Sequence, residues 1–152
     1  MNSEINNQQV AEIQIVYKTK VKAADRVKIS NSKDSYNVLK HFFEPYMEHR
    51  EVVYAIYMNT ANKVLHVMRI SEGAINNCLI DAKILFQGAL NVNACNIIIA
   101  HNHPTGSSFP SQQDLTMSLK LRDAAKLLDM QLLDSIILTE DSYTSLADDG
   151  NM

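Results

Sequence analysis

The sequence predicts an α/β or α+β domain, a mixed sheet flanked by helices. Two observations predict it. Short β-branched runs, Glu51 to Met58 and Asn96 to Ala100, alternate with longer stretches whose apolar residues recur at helical spacing. Strands and helices follow one another without strict βαβ alternation, so an all-parallel sheet is not expected. The 152 residues suit one domain, and 46% hydrophobic with 20% charged residues is a globular mixture. That mixture excludes a wholly disordered, collagen-like or coiled-coil chain.

Each element has a local reason. Residues 1 to 11 are polar and expected to fray. Glu12 to Val21 reads as a strand, with Ile13, Ile15 and Tyr17 at alternate positions. After a polar link, Ser32 is placed to cap a helix beginning near Asp34. Its apolar positions are Tyr36, Leu39, Phe42, Phe43 and Met47, and Pro45 breaks the pattern. Glu51 to Met58 is a buried strand. A turn at Asn59-Thr60-Ala61-Asn62 sends Lys63 to Ile70 back as its hairpin partner. Gly73 to Asn77 is a loop. Asp81 caps a helix with Ile84, Leu85, Ala89, Leu90 and Val92 on its apolar side, and Gly88 is its weak point. Asn96 to Ala100 is a strand, and 101–110 is a loop punctuated by Pro104, Gly106 and Pro110. Ser111 opens a helix to about Asp129, with Leu115, Leu119, Ala124, Ala125 and Leu128 at helical spacing. Ser135 to Thr139 is a strand, and Tyr143 to Leu146 adds a short last one.

The formal charge of -3 does not suggest strong general affinity for nucleic acid. A local basic strip exists, however: Lys18, Lys20, Lys22, Arg26 and Lys28 against only Asp25. No apolar run approaches the roughly 20 residues that span a bilayer, so no membrane association is expected. No signal peptide is readable at Met1-Asn2-Ser3-Glu4. Cys78 and Cys95 are too few for a disulfide scaffold, and a reduced, cytoplasmic protein is the expectation.

The sharpest local feature is His101-Asn102-His103 at the end of an apolar strand. Alternate side chains of extended backbone point the same way, so both imidazoles can converge. The following loop can return Asp114, in the first turn of the next helix, to their side. Two His nitrogens and one Asp oxygen are a three-ligand set for catalytic zinc, with water in the fourth position. Zinc would lower the pKa of that water towards about 7. Ser111 and Asp114 are also explained as a capping box, and a capped helix start would hold Asp114 in place. A hydrolase needs a carboxylate base beside the ion as well. Glu48, Glu51, Glu72 and Asp81 are the candidates; Glu51 opens a core strand that can lie beside His101, and Glu72 is the runner-up. Cys95 lies roughly 20 Å back along extended chain at about 3.3 Å per residue, too far to join the same site. Cys78 has no neighbouring ligand. His41, His49 and His66 stand alone and read as surface or half-buried residues.

His101-x-His103, seven intervening residues and then Ser111-x-x-Asp114, with an upstream Glu, resembles the JAMM (MPN⁺/JAB) metalloprotease signature. The stretch His101-Asn102-His103-Pro104-Thr105-Gly106 with Pro110-Ser111 is similar to its RadC-like bacterial branch, which usually has Ser where Thr105 stands. The likeness runs from about Ser30 to Asp149. It is supported by Asn59 to Leu65, Gly73, Ala125 to Leu128 and Leu133-Asp134.

The resemblance implies a JAB/MPN fold, related to the cytidine-deaminase type: a mixed, curved sheet with helices on both sides. It implies one zinc per chain on His101, His103 and Asp114, Glu51 as general base and then acid, and Ser111 steadying a tetrahedral oxyanion. The implied reaction is hydrolysis of a peptide or isopeptide bond in a peptide or protein substrate. The domain is then expected over 29–152, with 1–28 as a tail and strand extension. RadC-like proteins often carry an N-terminal helix-hairpin-helix domain, the part most associated with DNA; the residues before Glu51 here read as a strand and a helix instead.

A second reading is a non-enzymatic accessory module that binds DNA or a recombination or replication protein through Lys18 to Lys28. The same lysines also suit a solvated edge strand that resists edge-to-edge pairing. A third is oligomerisation through Glu12 to Val21, if that segment is a peripheral edge.

Overall fold

The computed structural model describes residues 10–73 and 80–152. A 3-10 turn at Ala23–Asp25 leads into helix α1, Ser32–Phe43. Strands β1, Val52–Met58, and β2, Val64–Glu72, form the hairpin. Helix α2, Ala82–Asn91, strand β3, Asn96–Asn102, helix α3, Gln112–Leu127, and strands β4, Gln131–Leu138, and β5, Tyr143–Ser145, complete the described elements. The sheet is mixed, in the order β2-β1-β3-β4-β5. Among the described strands only the β3–β4 pair is parallel, and α3 makes the crossover between them.

Strand alternation sorts the core into two layers. Val53, Ala55 and Tyr57 of β1 with Ile97 and Ile99 of β3 face one way. They pack against Leu85, Phe86 and Ala89 of α2 and Leu121 and Ala125 of α3. Val52, Ile56 and Met58 with Ile98 and Ala100 face the other way, against Tyr36, Leu39 and Phe43 of α1. The expected mixed sheet with helices on both sides is therefore present.

The register explains where chemistry can gather. Strand β1 runs antiparallel to β3, with Val53 opposite His101. The start of β1 thus lies beside the end of β3, and Glu51, Val53, Ile99 and His101 share the face that carries α2 and α3.

Several expectations need correction. Residues 12–21 form no strand: Ile13 is 86% and Ile15 64% exposed. Among the described residues the segment meets no ladder partner, and a ring contact it makes there is Tyr17 edge-on to His66. A period of two without a neighbouring strand leaves its main chain to water. Asn31, not Ser32, caps α1: its side chain accepts the Asp34 N–H at 2.9 Å, and Ser32 is already helical. The apolar stripes are rotated from the expected ones. Ile84 and Leu90 of α2 and Leu119 of α3 are exposed, while Ser118 is buried beside the sheet. Strand β3 includes His101 and Asn102, and β4 begins at Gln131 rather than Ser135. The parallel pairing of Asn96 with Gln131 and Asn102 with Leu138 supplies ladder bonds that local propensity does not reveal. Cys78, most of the expected 73–77 loop and residues 1–9 lie outside the described residues.

Candidate metal centre

His101 and His103 meet as their spacing requires. Their Nε2 atoms lie 3.0 Å apart at the end of β3. Asp114 reaches them from the first turn of α3, with Oδ1 3.2 Å from His101 Nε2 and Oδ2 3.5 Å from His103 Nε2. Glu51 Oε1 is 3.9 Å from His101 Nε2. These side chains and Ser111 line one cavity of about 280 Å³ between the sheet and the start of α3. Val53, Ile99, Ile80 and Met117 form its apolar walls, and Phe109, 80% exposed, stands at its mouth.

Asp114 is held by the cap of its own helix. Ser111 Oγ accepts the Asp114 N–H at 3.1 Å, and Asp114 Oδ2 accepts the Ser111 N–H at 2.7 Å. Both sides of the capping box are present, so the aspartate's orientation is fixed by local backbone. His103 is fixed from behind. Its Nδ1 lies 2.7 Å from the Ser107 carbonyl oxygen. A carbonyl only accepts, so Nδ1 carries the hydrogen and the neutral ring turns the Nε2 lone pair into the site.

Four electron-rich groups facing one another need a shared proton or a cation. Donors about 2.0–2.1 Å from a tetrahedral ion lie about 3.3 Å from each other. The contacts among His101, His103 and Asp114 straddle that value, and the Glu51 contact is longer. Ligand atoms of Glu51, His101 and His103 also fall within 4.8 Å of one another, so the site can hold a metal ion and Glu51 stands at its edge. The donor set fits.

The electrostatics separate the two carboxylates. Glu51 is 8% and His101 5% exposed. Burial pushes the Glu51 carboxyl up, against the pull of His101 and His103 and with repulsion from Asp114. Burial would raise Asp114 too, but hydrogen bonds from His101 and His103, which their rings make when Nε2 carries a proton instead of a metal, outweigh it and hold this carboxyl far below the usual range. The hydrogen bond with Asp114 raises the His103 imidazole, against burial. One carboxylate is thus kept charged and the other is made more basic.

The other candidate bases are elsewhere. Glu72 pairs with Arg50 at 2.7 Å and Arg69 at 3.1 Å. Asp81 accepts the Lys83 N–H as the cap of α2. Glu48 lines a separate groove with Glu44, His49 and Glu140. His41 lies against Phe42 and His66 against Tyr17. Cys95 precedes β3 at the end remote from the histidines, as its spacing requires.

Sequence reasoning missed Ser107, Phe109 and Met117, which carry no motif of their own. It also passed over Asn102, whose side chain points to the opposite face from its histidine neighbours. Its position inside a strand-terminal His-x-His was the available signal.

The chain matches the family model described as a RadC-like JAB domain over residues 29–151. It is similar to a UPF0758 protein of Flavobacterium johnsoniae, 33% identical over 81% of this chain and 53% of the relative. A UPF0758 protein of Geotalea uraniireducens is 35% identical over 76% of this chain and 51% of its own length. One from Aquifex aeolicus is 35% identical over 82% and 53%. The chain spans about half the length of these relatives.

Proposed function

We propose, from the premise that this chain belongs to the RadC-like JAB domain family, that it is a zinc-dependent metallohydrolase acting on a peptide or isopeptide bond. The observation that carries this reading is the meeting of His101, His103 and Asp114 at near-tetrahedral spacing, with a buried carboxylate beside them. His101, His103 and Asp114 would hold the ion. Zinc in such a site acts as a Lewis acid and brings the pKa of a bound water towards about 7.

The chain's own residues do the rest. Glu51 takes a proton from the attacking water and returns it to the leaving amine. Its buried place 3.9 Å from His101 Nε2 sets it beside the water that such an ion would hold. Asp114 stays ionised throughout and balances the charge of the ion. The Ser111 hydroxyl lines the cavity and can donate to a developing oxyanion while its oxygen accepts the Asp114 N–H. Val53, Ile99 and Met117 line one side of the cavity and would keep bulk water from it, and the exposed Phe109 ring is available to a bound substrate.

The experiment is metal analysis of the purified protein and its Glu51→Gln variant, with hydrolysis assayed on a peptide library. Bound zinc in both, with turnover only in the parent, supports the reading. A parent that neither retains nor takes up zinc sinks it.

The accessory-module alternative rests on Lys18, Lys20, Lys22, Arg26 and Lys28, which lie in exposed, largely irregular chain. Binding to DNA there would weaken steeply as salt rises. The geometry of the cavity favours the hydrolase.

A further inference from the structure

We propose that Asn102 is a positioning residue that sets Glu51 against the two histidines. This rests on Glu51 acting as the base in the reading above.

Asn102 is fully buried and faces away from the cavity, towards the turn that follows α1. Its Oδ1 accepts the Val52 N–H at 2.9 Å. Its Nδ2 donates to the carbonyl oxygens of Tyr46, Met47 and Arg50 at 3.1, 3.2 and 3.0 Å. Two N–H hydrogens therefore serve three acceptors, and one carboxamide closes the whole 46–52 segment onto the end of β3.

The ladder shows why this matters. The β1–β3 pairing stops at Val53 opposite His101. The ladder with β4 continues beyond it, with the His103 N–H donating to the Leu138 carbonyl at 3.0 Å. Val52 is itself fully buried, so its N–H needs a partner that this main chain no longer supplies. The Asn102 side chain takes that place. Glu51 is the next residue back, and its carbonyl is held from the other side by the Gly73 N–H at 2.9 Å. The strand residue between two candidate ligands thus holds the carboxylate that must stand beside them. Alternation makes this possible: one strand end presents imidazoles to one face and an amide to the other.

Positioning by a neighbour differs from simple stability, and cobalt(II) as the probe metal separates them. The measurements are visible absorption of cobalt-loaded parent, Glu51→Gln, Asn102→Ala and Asn102→Asp proteins, thermal melting, and hydrogen exchange of the 46–52 amides. Asn102→Asp keeps the acceptor for Val52 but sets a buried carboxylate against the three carbonyl oxygens, so it is the harsher change and Asn102→Ala the milder. The expected result is cooperative melting and exchange at Val52 faster by roughly tenfold in Asn102→Ala. Cobalt affinity should fall by less than the roughly tenfold seen when a ligand's own hydrogen-bond partner is removed. The Asn102→Ala spectrum should move in the direction of Glu51→Gln, and the double variant should match Glu51→Gln alone. An Asn102→Ala or Asn102→Asp spectrum identical to the parent, beside a shifted Glu51→Gln spectrum, overturns this assignment alone. Loss of cooperative melting in both Asn102 variants makes Asn102 a residue of the fold and also overturns it. A Glu51→Gln spectrum equal to the parent's also overturns this assignment, whereas a parent that binds no cobalt overturns the reading of the site and takes this assignment with it.

Discussion

Asp114 Oδ1 lies 3.2 Å from His101 Nε2 because the helix that carries the aspartate packs on the same sheet face as the histidine. The contact joins the end of one strand to the start of the next helix, across a loop anchored by the Ser107 carbonyl on His103 Nδ1. A site assembled this way depends on each anchor separately, which makes it testable piece by piece.

Removing a ligand should remove the metal. The parent is expected to carry about one zinc per chain, and His103→Ala or Asp114→Ala should lose it on dialysis. Metal content by mass spectrometry checks this. Loading the parent should also raise its melting temperature, by the equivalent of about 4 kcal/mol when free metal is about 1,000 times its dissociation constant. The two variants should show no such rise.

Ser111 has two separable tasks. Ser111→Ala removes the helix cap and should cost about 1 kcal/mol in denaturant unfolding. Ser111→Asn keeps a capping acceptor and should stay close to the parent in stability. If the hydroxyl also steadies an oxyanion, Ser111→Asn should still lose about 10²-fold in kcat on any substrate found. Full activity in Ser111→Asn would leave the residue a cap alone.

Gly88 is a packing requirement. A Cβ there would lie 2.5 Å from the Tyr57 hydroxyl oxygen and 2.9 Å from Met68 Sδ. Tyr57 cannot easily yield, because it is buried and donates to the Leu85 carbonyl at 2.7 Å. Gly88→Ala gains up to about 1 kcal/mol in helix propensity but should be destabilised overall, by about 1–3 kcal/mol. The same change in a Tyr57→Phe background should cost less. Urea unfolding of the four proteins checks the coupling, and equal costs in both backgrounds would refute it.

Asp134 should make stability pH-dependent. Burial raises its pKa above the ordinary 3.8, although Ser145 Oγ at 2.6 Å, the Ala147 N–H and the Ser135 N–H all donate to it. A carboxyl with a raised folded pKa binds its proton more tightly in the native state. Its stabilising contribution is therefore complete below 3.8 and is lost as pH rises through the folded value. Asp134→Asn keeps an amide oxygen for the two N–H donors and does not ionise. Its stability relative to the parent should improve as pH rises through that window, read by urea unfolding across the acid range. A constant difference would show that Asp134 titrates normally.

The spacing of His101, His103, Ser111 and Asp114 made the candidate centre legible before any fold was known, because the relation within each pair is local. Two imidazoles two apart on extended chain, and a cap with its partner three on, are set by backbone geometry alone. Glu51 was harder. Four carboxylates were candidates, and only pairing of β1 against β3 placed one of them in the cavity.

Element types followed from periodicity, yet the segment 12–21 shows its limit: alternation without a partner strand builds no sheet. Helix faces drifted for a related reason. Burial is decided by what packs against a residue, so Ser118 is covered while Leu119 is not. The amino-acid order by itself marked the cores of the main strands, the capped start of α3, and His101, His103 and Asp114 as candidates to hold an ion. Tertiary structure brought the preferred acid, Glu51, beside them, extended β3 through Asn102, and set the amide between the two histidines on the chain behind Glu51. Neighbours close in sequence are governed by dihedral angles and side-chain reach; neighbours brought from far apart depend on sheet register, which a one-residue shift would reverse from one face to the other.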